Sequence, residues 1–203
     1  MPYRRTPRVQ ARLDAQRTAI IEAATGLLAE QGYAGCSVAA VAARAGVGIG
    51  SVYQHFPSKA ELVVELFRVV VGREVQAVRK AAARPDDLVE RIVAVVETFA
   101  VRALKSPRLA YALLAEPVDA PVEAERLVFR QAFRDAAATR ITEAVAAGQL
   151  PPQDAETAAA ALIGAVAEVL VGPLAAGGDT IDPVPPLIEF TLRALGSSDV
   201  ANT

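Results

Sequence analysis

Cysteine occurs once in the 203-residue chain, at Cys36, so no disulfide can close within it, and a lone thiol fits a reducing compartment. Histidine also occurs once, at His55. That excludes a multi-histidine metal site and any Ser-His-Asp triad built without this residue. One histidine and one cysteine offer no constellation for acid-base or nucleophilic catalysis. No catalytic residue, metal ligand or cofactor is therefore expected, and the chain is not expected to be an enzyme. Alternation of apolar and polar residues with period two is missing, which argues against sheet-based folds. The first twelve residues, MPYRRTPRVQAR, lack the apolar run of a secretory signal, and a cytoplasmic protein is expected. Lysine is scarce, at three residues against 18 arginines, and with the abundant alanine this hints at a GC-rich genome.

Apolar residues make up 53% of the chain, enough for a large buried core. The net charge of −2 selects no partner by itself, but its distribution is uneven. Residues 1–60 hold seven basic groups, including Arg4, Arg5 and Arg8, and three acidic ones; the rest holds 14 basic and 20 acidic. This describes a basic partner-binding end on an acidic body. The run AAAALIGAVAEVLVGPLAA, Ala158 to Ala176, approaches the ~20 residues that span a bilayer. Its central Glu168, acidic flanks and missing aromatic belt oppose insertion, so a helix buried within or between subunits is expected, with no membrane partner.

The apolar pattern has a helical period nearly everywhere. Ile20, Ala23, Ala24, Leu27 and Leu28 share one face, and Gly32 supplies a stop. Ser37 can cap a short helix bearing Val38, Val41, Ala42 and Ala45. A second short helix runs through His55 to Pro57, and Ser58-Lys59-Ala60-Glu61 has the spacing of a capping box opening a long helix. Five more helices follow, separated by Ser106-Pro107, Glu116-Pro117, Gly148 to Pro152 and the turn near Gly177-Gly178. An all-α fold is expected.

Gly46, Gly48 and Gly50 in AGVGIGSVYQHF invite a phosphate-loop reading. A dinucleotide fingerprint needs a buried strand before the glycines, and a phosphate loop needs a G-K-[ST] ending; neither is present. Gly46 is better explained as the tight turn between two short helices, where positive φ is needed. Two such helices across a tight turn form a helix-turn-helix, whose second helix enters the DNA major groove. Gly48 and Gly50 would let that helix approach the duplex closely. Val47 and Val52 would face inward, leaving Ile49, Ser51, Tyr53, Gln54 and His55 to meet DNA.

The stretch SVAAVAARAGVGIGSVYQHFPSKAELV resembles the DNA-binding segment of the TetR family of bacterial transcriptional repressors. The likeness runs from Arg17 through Phe67 and rests on the AGV turn, Ser51-Val52-Tyr53, Phe56 and Lys59. It implies phosphate contacts for Tyr53 and Lys59, with Arg44 a weaker candidate and Ser37 counted in the same DNA-binding set. The family often has serine where Gly48 stands and a polar or basic residue where Ile49 stands, so base contact at Ile49 should be apolar. The later chain looks like a TetR ligand-binding and dimerisation domain.

The resulting division is residues 1–57 as the DNA-binding domain, with the helix-turn-helix at about 37–56, a connecting helix over 58–84, and a ligand-binding and dimerisation domain over 85–203. The expected partners are a near-palindromic double-stranded operator, a second copy of the chain joined through the last two long helices, and a small-molecule effector. Phe99, Tyr111, Phe129 and Phe133 are core residues or line the effector cavity. Glu168, a carboxylate in an apolar helix, needs Arg102, Arg130 or a ligand as its partner. Arginines near Phe129 suit an anionic effector and Glu168 a cationic one. The expected function is a ligand-responsive repressor; the alternative is a helical small-molecule carrier without DNA binding.

Overall fold

The computed structural model of the chain describes residues 6–83, 87–177 and 182–196. Arg4, Arg5, the expected domain boundary at Arg84-Pro85 and Gly178 lie outside them. Among the described residues the chain is all-α. Its nine helices are α1 (Pro7–Gly35), α2 (Val38–Ala45), α3 (Ile49–His55), α4 (Lys59–Ala82), α5 (Leu88–Lys105), α6 (Pro107–Leu114), α7 (Ala120–Ala146), α8 (Ala155–Ala175) and α9 (Val184–Leu195).

α1 starts earlier than its apolar row requires, with Pro7 in its first turn and the Thr6 hydroxyl accepting from the Val9 N–H. Ile20, Ala24, Leu27 and Leu28 are buried as their spacing predicts. Gly32 interrupts the helix with φ +69° and ψ −171°, and one further turn carries Tyr33 into the core. A side chain at Gly32 would also collide with the Glu116 carboxylate, whose Oε1 lies 2.8 Å from where Cβ would be.

Ser37 caps α2, its hydroxyl accepting from the Ala40 N–H at 3.1 Å. Gly46 ends α2 in the left-handed conformation, φ +67° and ψ 32°, and Val47 N–H bonds back to the Ala42 carbonyl at 3.0 Å. That closure sets the angle at which α3 leaves. No atom outside its own turn lies within 4 Å of a Cβ at Gly46, so only backbone strain opposes a side chain there. Gly46→Ala is expected to lower the unfolding free energy by about 1 kcal/mol, read as a lower urea midpoint at unchanged m-value. An unchanged midpoint would show that the turn relaxes.

Ser58 caps α4 by accepting from the Glu61 N–H at 3.1 Å, but the return bond expected from Glu61 is not made. The reciprocal pair forms instead at α5, where Asp87 accepts from Glu90 N–H at 2.8 Å and Glu90 accepts from Asp87 N–H at 3.3 Å. Two cores result. One joins α1–α4 around Leu62, Leu66, Phe67 and Val52, and it also takes in Ala112 and Leu113 of α6 and Val122 of α7. The other joins α5 to α9 around Ile141, Leu170, Leu174 and Leu187. The end of α6 is thus built into the core of the N-terminal helices.

α8 is long and apolar enough to cross a membrane by length and composition. Leu162, Val166, Leu170 and Leu174 are nevertheless buried against the rest of the protein. Ala160, Ala161, Gly164, Glu168 and Val169 remain exposed.

Candidate functional site

α3 is seven residues long and turns around Val52, which is completely buried, and the buried Phe56 that follows it. Anchoring these two in the core turns Ile49, Gly50, Tyr53 and Gln54 outward. Ile49 is 50% and Tyr53 49% exposed, a high exposure for large side chains in a helix held this firmly. At Gly48 and Gly50 a Cβ would meet open space. The result is a protruding helix with an apolar tip, an outward phenol and amide, and a bare backbone at its amino end. Ser51 is half-buried beside it, and Ser37 is spent on capping α2.

Three residues expected at this face are held by the protein itself. The Lys59 ammonium donates to the Tyr33 carbonyl at 2.9 Å and lies 3.8 Å from the Tyr33 ring centroid. Rather than a solvated first-turn lysine, it is half-buried and ties the start of α4 to the end of α1. His55 is turned toward α1, its Nε2 within 3.1 Å of the Gln16 amide oxygen. Arg44 bridges α2 to α1 through Glu30 at 2.6 Å. Arg17, with no role foreseen beyond the basic balance, stacks its guanidinium 5.3 Å from the Phe56 ring centroid and pairs with Glu65 at 2.6 Å. Of the tail arginines, Arg8 lies exposed on the first turn of α1.

The second feature is a partly open cavity of about 340 Å³ lined by α4, α5, α6, α7 and α8. Phe67, Phe99, Leu113, Phe129, Phe133 and Val166 contribute to its apolar wall. Phe99 and Phe133 meet edge to face, with centroids 5.8 Å apart. Arg102 also lines it, paired with Glu74 of α4 by a two-bond contact whose Nη2 arm is 2.9 Å. Two expectations are corrected. Tyr111 does not line the cavity and packs with the α5–α9 core. Glu168 is exposed: one residue past the cavity-lining Ala167, the helix turns it about 100° away. It pairs with neither Arg102 nor Arg130, because Arg102 holds Glu74 and Arg130 donates to the Leu114 carbonyl at 3.2 Å.

Arg126 was not singled out, although it falls in one stripe with Val122, Phe129 and Phe133 on α7. It is 7% exposed and lines the cavity. α6 ends at Leu114 with no left-handed glycine to close it, so its last carbonyls need other donors. Arg126 supplies them, from Nε to Leu113 at 2.9 Å and from Nη2 to Ala112 at 3.3 Å and Glu116 at 2.8 Å, while Nη1 pairs with Glu123. Burial pulls the guanidinium below its ordinary pKa, and Glu123 partly opposes this. The loop thus held reaches the N-terminal helices. Both carboxylate oxygens of Glu116 accept from the Tyr33 N–H at 3.0 Å, and the Tyr33 hydroxyl donates to Asp119. Burial first, and Asp119 second, push the Tyr33 phenol well above its usual pKa. Arg108 of α6 adds a bond to the Glu30 carbonyl at 2.9 Å. A continuous chain of contacts therefore joins the cavity wall to Tyr33, and through Tyr33 to Lys59.

A helix-turn-helix with an outward-facing second helix defines a DNA-binding class of protein, and comparison with known sequences likens the N-terminal part of the chain to it. The family described as "Bacterial regulatory proteins, tetR family" matches residues 20–66. The HTH-type transcriptional activator FasR of Mycolicibacterium smegmatis is 35% identical over 86 residues, covering 42% of this chain and 39% of that protein. The HTH-type transcriptional repressor KstR2 of Mycobacterium tuberculosis is 39% identical over 61 residues, covering 30% of each. The matched regions thus span only 39% and 30% of these relatives' length. Among solved structures, the transcriptional regulator FadR from Bacillus subtilis, determined in complex with stearoyl-CoA, superposes with a TM-score of 0.77 at 19% identity, covering 87% of this chain and 98% of that one. Residues 20–66 thus carry the TetR-family DNA-binding pattern, and the helical fold of the whole chain is that of solved TetR-type regulators. Its relatives are transcriptional regulators, not enzymes.

Proposed function

We propose that the chain is a ligand-responsive repressor, cytoplasmic, which binds a near-palindromic DNA operator as a homodimer and is released by a small, largely apolar molecule. The reading rests chiefly on the exposed face of α3, where Ile49, Tyr53 and Gln54 stand outward beside Gly48 and Gly50. In it, residues 1–57 bind DNA, 58–84 connect, and 85–203 bind ligand and dimerise. Tyr53 and Lys59 contact phosphates, Lys59 with the donors left over from Tyr33. Ile49 and Gln54 read base edges, and Ser51 lies beside them. Ser37, Arg44 and His55 act by holding α2 and α3 in place. The exposed small-residue face of α8, with Val169, and the 47% exposed Phe190 of α9 supply an apolar surface for the second copy. Effector and operator are coupled because Arg126 and Glu74 touch the cavity and also hold, respectively, the loop bonded to Tyr33 and the helix that follows the helix-turn-helix.

Selection of duplexes from a randomised pool by the full chain tests this reading. A near-palindromic consensus is expected, with Tyr53→Ala weakening all duplexes about tenfold, the loss of one charge-assisted hydrogen bond. Changes at Ile49 or Gln54 should instead alter the consensus. Binding of small molecules with no duplex enriched would favour the carrier reading.

A further inference from the structure

The charge of the effector can be read from the cavity wall. The wall carries one carboxylate, Glu74, and four cations: Arg102, Lys105, Arg126 and Arg130. Glu74 is matched by Arg102, and Arg126 by Glu123 outside the wall. Lys105 and Arg130 have no carboxylate partner among the described residues. Both are solvent-exposed, and Arg130 makes one bond to a carbonyl, so no carboxylate of the described residues neutralises either charge. Ser106, also in the wall, opens α6 without a side-chain cap, so the positive end of that helix dipole adds to the same sign. Glu168, the only residue to argue for a cation, is on the outside.

We propose that the effector is an amphiphilic anion, with an aliphatic or aromatic body between Phe99, Phe129 and Phe133 and a carboxylate or similar acidic head at Lys105 and Arg130. At roughly 30 Å³ for each water-sized group, the cavity takes on the order of ten non-hydrogen atoms. That suits a medium-chain acid or one fused ring pair. An alcohol of the same length leaves the two cations without a counterion, and an amine is repelled by them. The inference rests on the reading of this cavity as the effector site and gives that site its chemical class.

Calorimetric titration of the full chain with decanoate, decanol and decyltrimethylammonium tests it. Decanoate is expected to bind at least tenfold more tightly than either of the others. In Lys105→Gln/Arg130→Gln the preference over decanol should vanish while decanol affinity stays as in the parent, which also shows that the variant is folded. Decanol or the ammonium compound binding as tightly as decanoate to the parent would overturn the anionic assignment and leave the effector cavity standing. If none of the three binds, the anionic amphiphile assignment falls, while the repressor reading stands or falls with the duplex selection. If decanoate binds with the expected preference but leaves duplex affinity unchanged, the ligand class holds and the repressor-release reading is what fails.

Discussion

Arg126→Ala should be among the most damaging single substitutions outside the apolar core, lowering the unfolding free energy by about 3 kcal/mol. The estimate follows from the groups it strands. Without the guanidinium, the carbonyls of Ala112, Leu113 and Glu116 lose a donor in a region that is largely buried. Each unsatisfied buried group costs about 1–3 kcal/mol, and water entering from the cavity offsets part of the sum. The Glu123 pair contributes little, because that carboxylate is on the surface. Urea denaturation of the parent, Arg126→Ala and Arg126→Lys gives the measurement. Lysine should recover only part of the loss, since one ammonium cannot reproduce a planar fork shared among three carbonyls. If the alanine variant loses less than 1 kcal/mol, the end of α6 has another cap and the role assigned to Arg126 is wrong.

The same residue makes the coupling proposal concrete. A ligand shifts the DNA-bound population only if it interacts differently with the two states. Groups that touch both the cavity and the N-terminal helices are where such a difference can arise. Arg126 holds the backbone of Glu116, Glu116 holds the Tyr33 amide, and Tyr33 holds Lys59 at the head of α4. Ala112 and Leu113 belong to the core of the DNA-binding helices, so movement of the end of α6 is transmitted by packing as well as by hydrogen bonds.

The helical fold was legible because its signals are local. The apolar row from Ile20 to Leu28, the cap at Ser37 and Gly46 at positive φ each lie within a turn or two of chain, and each is present in the structure. The outward face of α3 followed from the same periodicity, once Val52 was turned inward. Partners chosen by the fold across long separations were not legible. Lys59 and Tyr33 are 26 residues apart and Glu116 and Tyr33 83, and no local pattern announces either pair. Glu168 misled because one carboxylate in an apolar run reads as buried. The run is apolar on its outer face too, so the period that would have turned Glu168 outward was masked. Arg126 was hidden among the arginines of α7, and only its shared stripe with Val122, Phe129 and Phe133 set it apart.

Lys59→Met should lower stability by about 2 kcal/mol in the absence of DNA. The ammonium makes a charge-assisted bond to the Tyr33 carbonyl, worth about 1.5–3 kcal/mol, and lies against the Tyr33 ring, which adds about 0.5–1 kcal/mol. The half-exposed position brings the total toward the lower end, and methionine keeps the apolar stem in place. A lysine serving only as a phosphate contact would show no such loss, since nothing in the free protein would miss it. The proposed phosphate contact is read separately, from the slope of log affinity against log salt for a selected duplex. That slope should fall by about one unit for each lysine contact removed. Thermal or urea unfolding indistinguishable from the parent would refute the tether to α1. A tether without any change in slope would leave Lys59 a purely structural residue and shift the phosphate contacts onto Tyr53 and the amino end of α3.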